Sequence, residues 1–362
     1  MHASMGDTMR DGRQILDADA HVVEPGDVFG DLQRIGPELM DLPPTTPFQA
    51  AGDSAKLSDF FEAGCSADAY LRCMDVESID AVVLYPSMGL YVPYLPELEP
   101  KASAAACRAY NEWIAAYSAT DPSRLAGVGI APLADPELAV HEARHAAGLG
   151  LPGVMARPNH VYGRSLGAPE YDPLYDVLEE TGLVLAVHEG LGVRGAPTIG
   201  RDVSETFAVR HAMSHPMEQM AAMASLMLEG ALERHPTMRV AFLESGTGWL
   251  PYWLARLDGH AEWMRDTETS ELSLTPSEYF ARQCMISTDP DDPLAAWVTS
   301  QVGADHVVWA SDFPHPDAMY PDAVTAFLKE SAEHGLDGAD LDAVLWDTPV
   351  RFYRLEDRFG PT

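Results

Sequence analysis

Lysine is nearly missing from this 362-residue chain: Lys56, Lys101 and Lys329 are all there is. Lys and Arg together number 23 against 56 Asp and Glu, a formal net charge of −33. No basic stripe is available to neutralise phosphates, which argues against nucleic acid and anionic membranes as partners. Cysteine is scarce as well. Cys65, Cys73, Cys107 and Cys284 form no CxxC pair and no zinc-finger spacing, so they read as free thiols in a reducing cytoplasm. The opening "MHASMGDTMRDGRQ" lacks the apolar segment of a signal peptide. No run approaches the ~18 apolar residues of a membrane span. No GxGxxG follows the first apolar run, so a dinucleotide-dependent oxidoreductase has no fingerprint here. The expected location is the cytoplasm.

What is present is periodic. Hydrophobic residues make up 46% of the chain, enough for a substantial core. Short β-branched runs predict strands at 15–22, 81–86, 125–132, 153–158, 183–189, 239–245, 284–289 and 307–314. Most are continuously apolar, as strands covered on both faces are. Helical patterns lie between them, for example at 102–119, 136–150 and 172–182. Eight strands alternating with helices predict an α/β fold, a (β/α)₈ TIM barrel. One such domain is expected over 15–362, with 1–14 loosely attached. The long connections 24–57 and 190–206, after the first and fifth strands, are expected to cover the mouth of the barrel.

Barrel active sites sit at the C-terminal ends of the strands. The unusual polar residues fall there: Asp19 and His21, Arg157, His188, Glu244, Asp289 and Asp312. Asp19 and His21 are two apart in "ILDADAHVVEP", so they share a strand face. His188 ends the fifth strand, across the ring. Asp312 ends the eighth strand, next to the first once the barrel closes. Two imidazoles and two carboxylates converging in this way suit one Zn²⁺, with Mn²⁺ or Fe²⁺ as alternatives.

The segments "DADAHVVEP", "VHEG", "ESGTGWLPYWLARLD" and "WASDFPHPD" resemble the amidohydrolase superfamily. The resemblance is to its amidohydrolase-related branch, which includes aminocarboxymuconate-semialdehyde decarboxylase and the resorcylate-type decarboxylases. It runs from Asp17 to about Tyr353. It implies that Asp19-x-His21 replaces the family's His-x-His or Glu-x-His metal pair. The fifth-strand histidine falls on His188 and the eighth-strand aspartate on Asp312. Many family decarboxylases carry a histidine at the end of the sixth strand, where this chain has Glu244. Binuclear members use a carbamylated lysine on the fourth strand; none stands there, which implies a mononuclear site. The resemblance also implies a homodimer.

Two reactions fit such a site. In the first, water is activated to hydrolyse a C–N, C–O or C–C bond beside a carbonyl, with Asp312 as base and Glu244 as acid. In the second, a carboxylate leaves as CO₂ while Glu244 or a histidine protonates the carbon. The missing sixth-strand histidine tilts the expectation to hydrolysis, with decarboxylation as the alternative and a metal-free binding protein as the remote one. The expected substrate is a small carboxylate-bearing or aromatic molecule. His215 is a further catalytic candidate. Arg157, positioned to grip a carboxylate, His315 and Trp249 are substrate-binding candidates. Asp17 reads as a support for the first-strand loop. Glu24 reads equally as a loop acid or a support of the metal site. Met213, Met217, Met220, Met223 and Met227 read as a helix packing stripe.

Overall fold

A computed structural model describes residues 10–30, 54–160, 162–191, 197–200, 203–315 and 318–360. Among the described residues eight staves are present where eight were predicted. They are β1 Leu16–His21, β2 Ala81–Tyr85, β3 (Leu125–Gly127 with Gly129–Ile130), β4 Gly153–Ala156, β5 Val184–Val187, β6 Arg239–Phe242, β7 Cys284–Thr288 and β8 Val307–Trp309. Each pairs in parallel with the next from β1 to β3 and from β3 to β8. Within β3, Val128 N–H donates to Leu84 O at 2.8 Å and Ala131 N–H to Met155 O at 3.0 Å, which carries the ring across the stave. The ring closes where β8 meets β1. Asp312 N–H donates to Asp19 O at 3.1 Å, and His21 N–H donates to Phe313 O at 2.6 Å.

The intervening helices start on sequence signals. Ser66 caps Ala67–Glu77, Asp135 caps Pro136–Gly148, and Thr275 with Glu278 forms a capping box on Pro276–Gln283. The strand residues between these helices and the barrel interior are buried throughout β1 to β5. Met223 and Met227 of the stripe are fully buried, while Met217 is exposed, so the stripe packs only in its second half. Among the described residues no helix is long and apolar enough to cross a membrane.

Several strands are shorter than predicted, and β6 and β8 share a backbone feature just beyond their ends. Glu244 has φ 51° and Asp312 has φ 58°. Left-handed backbone cannot continue a strand, so neither strand runs through these residues; β6 ends at Phe242 and β8 at Trp309. β1 also departs from simple alternation. Asp17 pairs with Val82 and Ala20 with Leu84, so three steps on β1 match two on β2. This bulge gives Asp17 a different outlook from Asp19 and His21. Asp17 borders a small space of about 20 Å³ shared with Tyr70, Met74 and Ser311.

The N-terminal residues differ from expectation in part. Residues 10–14 are tied down: Arg10 pairs with Asp80, and Arg13 Nε lies 2.8 Å from Asp342. Residues 1–9 lie outside the described residues, as do large parts of both long connections.

Ser311 holds the closing seam. Its N–H donates to Asp17 Oδ1 at 3.0 Å, its hydroxyl donates to Asp17 Oδ2, and its Oγ accepts from Phe313 N–H at 3.0 Å. Ser311→Ala strips the buried Asp17 carboxyl of one partner. Denaturant unfolding is expected to show a loss of about 1–3 kcal/mol; a change under about 0.5 kcal/mol would mean that the seam does not depend on this hydroxyl.

Candidate active site

The site is assembled at the C-terminal ends of β1, β5, β6 and β8. His21 and His188, from opposite sides of the ring, bring their ring centroids to 4.8 Å. His188 Nε2 lies 3.2 Å from Asp19 Oδ1. His21 Nε2 lies 3.3 Å from Asp312 Oδ1 and 3.8 Å from Asp19 Oδ1. The donors form two overlapping triads that share His21: Asp19–His21–His188 and His21–Asp312–His315. Asp19, His21 and His188 are buried essentially completely.

Both imidazoles are oriented from behind. His21 Nδ1 lies 2.7 Å from Pro86 O, and His188 Nδ1 lies 2.6 Å from Glu189 O. A carbonyl only accepts, so each Nδ1 carries the proton and each Nε2 presents a lone pair. Those lone pairs face carboxylate oxygens. Burial, with the charges of His315 and His188, pushes the His21 imidazole down to about 4 against the pull of Asp312. Nε2 of His21 has no hydrogen-bond partner. Acceptors facing acceptors at 3.2–3.8 Å fit a cation between them. Two ligands bound tetrahedrally at about 2.0–2.1 Å sit about 3.4 Å apart. The donor set therefore fits a divalent metal ion, with the backbone carbonyls fixing the ligand tautomers.

Glu24 supports this arrangement. Its carboxylate accepts from the N–H groups of Ser87, Met88 and Gly89 at 3.3, 2.9 and 2.9 Å. That clasp fixes the turn whose Pro86 carbonyl orients His21. Asp17 does not face the cluster; it holds Ser311, and burial pushes its carboxyl up to about 8.

Glu244 and His215 stand beside the cluster. Glu244 Oε2 is 3.5 Å from His188 Nδ1, and Glu244 Oε1 is 3.3 Å from His215 Nδ1. His215 Nδ1 also lies 3.0 Å from Glu244 O. Burial, with His211 and His188 nearby, pushes His215 down to about 3, so its imidazole is neutral at pH 7. His215 is placed by the helix Phe207–Leu228, which Gln219 pins to the barrel by donating to Val187 O and Leu243 O at 2.7 and 2.9 Å. A cavity of about 360 Å³ opens here, walled by His211, His215, Glu244, Asp289, Asp291 and Asp312 among others. Burial, with Asp292 and Asp312 as neighbours, pushes Asp289 up to about 8.

The structure places the three substrate-binding candidates differently, two of them away from the cavity. Arg157 is fully buried. Its guanidinium donates to Leu90 O, Asn159 Oδ1 and Glu189 Oε1 at 2.6, 3.0 and 3.0 Å, so it braces the barrel wall and offers substrate no surface. Trp249 packs on the core and donates Nε1–H to Ser245 O at 3.2 Å; it is not part of the cavity wall. His315 meets Asp312 Oδ1 at 2.7 Å and Ser87 Oγ at 3.1 Å and stacks on His21 at 4.0 Å. It stays at the site, partly exposed and holding Asp312. Sequence reading placed Asp289 at a strand end but missed Glu189 and Gln219 as parts of the site. Glu189 had a signal, an acid directly after the strand-end His188; Gln219 had none.

The family profile described as amidohydrolase matches residues 17–355. The chain belongs to the amidohydrolase family. Among curated relatives, this amidohydrolase is 24% identical over 225 residues to the 2-amino-3-carboxymuconate-6-semialdehyde decarboxylase of Dictyostelium discoideum. That match covers 62% of this chain and 60% of the relative's own length. It is 23% identical over 258 residues to a gamma-resorcylate decarboxylase of Polaromonas, covering 68% of this chain and 76% of the relative. Among solved structures it resembles 5-carboxyvanillate decarboxylase from Sphingomonas paucimobilis, with a TM-score of 0.74, 20% identity and coverage of 95% and 99% of the two chains. A dihydroxybenzoic acid decarboxylase from Polaromonas, solved with manganese and 2-nitroresorcinol, gives a TM-score of 0.66 at 16% identity, covering 95% of this chain and 98% of that one. These likenesses confirm the barrel, and the family makes the protein an enzyme, hydrolase or carboxy-lyase. The tilt to hydrolysis is overtaken, because the curated relatives carry the decarboxylase alternative.

Asp312 offers a clean test of the cluster. Asn tolerates left-handed backbone, so Asp312→Asn is expected to keep the fold by circular dichroism. Its metal affinity is expected to fall at least about 10- to 100-fold, the range that even outer partners of ligands command. Unchanged affinity in equilibrium dialysis would remove Asp312 from the ligand set.

Proposed function

We propose that this amidohydrolase is a metal-dependent, non-oxidative decarboxylase. Its substrate class is a small aromatic or unsaturated acid with a hydroxyl or keto oxygen beside the carboxylate. The observation that carries this reading is the cluster of buried Asp19, His21 and His188 with Asp312, with Glu244 alongside; Asp312 and Glu244 both line the cavity. The decarboxylases named among the relatives support it. A bound divalent ion, Zn²⁺ or Mn²⁺, would act as a Lewis acid on the substrate's oxygen and draw electron density from the bond to be broken.

The chain's own residues supply the rest. Asp19, His21, His188 and Asp312 would hold the ion; the turn 86–89 and Glu189 O fix the two rings. Glu244 is the proton donor. The carbon–carboxylate bond breaks, CO₂ leaves, and the electron pair left on carbon takes the Glu244 proton. His215, neutral and lying against Glu244 Oε1 at 3.3 Å, orients that carboxyl. Hydrolysis would need Asp312 as a free base, yet its Oδ1 already meets His315 and faces His21.

The test is turnover of hydroxybenzoic acids by metal-loaded protein in D₂O. CO₂ release with deuterium on the vacated carbon is expected. Glu244→Gln is expected to lower kcat by about 10²–10⁴, the scale of general acid catalysis. Cleavage of amides or lactones without CO₂ would overturn the reaction class; CO₂ release at the wild-type rate in Glu244→Gln would overturn the proton donor.

A further inference from the structure

We propose that Asp289 is a specificity residue that binds a cationic nitrogen on the substrate. The acid consumed here is then zwitterionic: a small aromatic acid with an aliphatic ammonium group remote from the leaving carboxylate. This rests on the decarboxylase reading for the reaction and adds the far end of the substrate. Asp289 directly follows β7. It therefore stands between the β6 end that carries Glu244 and the β8 end that carries Asp312. All three residues line the same cavity.

Asp289 differs from a neighbouring acid on the same turn. Asp292 is fully engaged: its Oδ2 accepts from Thr247 N–H and Oγ1–H at 2.9 and 2.6 Å, and its Oδ1 accepts from Leu294 N–H at 2.9 Å. That clasp fixes the turn after β7 against the turn after β6. Among the described residues nothing donates to the Asp289 carboxyl and no basic group pairs with it. The carboxyl lies over Gly246, where an added Cβ would stand 3.7 Å from Asp289 Oδ2. Gly246 also lines the cavity, and its lack of a side chain keeps the approach to Asp289 open.

The wall around Asp289 offers no opposite charge. Glu244, Asp291 and Asp312 line the cavity, and among the described residues no lysine or arginine does. Burial, with Asp292, Asp312, Asp19 and Asp291 nearby, raises the Asp289 carboxyl to about 8; a neighbouring ammonium group favours its charged form. A second acceptor on this wall is also without a donor. His215 Nδ1 is taken by Glu244 O, and its Nε2 has no hydrogen-bond partner although the residue is only 7% exposed. Buried acceptors require donors, and an ammonium group carries three. A metal ion does not meet this need, because among the described residues no triad of metal-like spacing includes Asp289 or His215. The cavity, about 360 Å³, has room for a single-ring acid.

Metal-loaded full-length protein is offered ortho-hydroxybenzoic acids that differ in one group, para or meta to the carboxylate: aminomethyl, methyl or carboxymethyl. kcat/KM for CO₂ release is measured, and the Kd of each matching phenol, which has no carboxylate to lose, is measured by calorimetry. The aminomethyl compounds are expected to exceed the methyl compounds by about 10- to 100-fold in both, the scale of a hydrogen bond to a charged group. The carboxymethyl compounds are expected to fall below the methyl ones. In Asp289→Asn the aminomethyl preference is expected to disappear. Equal binding of the three phenols by the wild type, or an aminomethyl preference that survives in Asp289→Asn, would overturn the assignment. No CO₂ from any acid, with the preference among the phenols intact and dependent on Asp289, would uphold the assignment and overturn the decarboxylase reading alone.

Discussion

Everything in this barrel turns on the seam where its last stave meets its first. The two hydrogen bonds that close it are made by the backbones of the site residues: Asp312 N–H to Asp19 O, and His21 N–H to Phe313 O. Closing the ring and assembling the ligands are thus one event. A cylinder that failed to close would leave Asp312 without its neighbours on β1. The cost of gathering four ionisable groups is met by the burial of the surrounding staves, and the position of each group is set by strand order rather than by a flexible loop.

Around that seam, backbone groups do much of the chemistry's preparation. Pro86 O and Glu189 O fix the tautomers of His21 and His188, so two lone pairs point inward before any ligand arrives. Glu24 fixes Pro86 by clasping the next three amides. Glu244 and Asp312 both leave their strands through left-handed backbone, a conformation that costs about 1–3 kcal/mol where a side chain is needed in that position. The same departure turns those two carboxylates towards the cavity.

Much of this was legible in the sequence because barrels impose order. Apolar runs gave the staves, and the polar residues at their ends gave Asp19, His21, His188, Glu244 and Asp312. What was not legible follows from two physical facts. Alternation places Asp17 on the face of Asp19 and His21, but a bulge of one residue redirects it to Ser311, and a bulge leaves no mark in composition. Arg157 at a strand end looked like an anion grip, but its partner Glu189 comes from the neighbouring stave, and only the register between β4 and β5 brings them together. Gln219 is the same kind of case: its two acceptors are backbone carbonyls, which no sequence displays.

The central claim is that one divalent ion sits among Asp19, His21, His188 and Asp312. Crystals grown with Mn²⁺ and measured at the manganese absorption edge test it most directly. The account predicts a single strong anomalous peak within bonding distance, about 2.0–2.3 Å, of His21 Nε2, His188 Nε2 and a carboxylate oxygen of Asp19. A map with no peak at the end of the β1–β8 seam, from protein that still turns over its substrate, would contradict it.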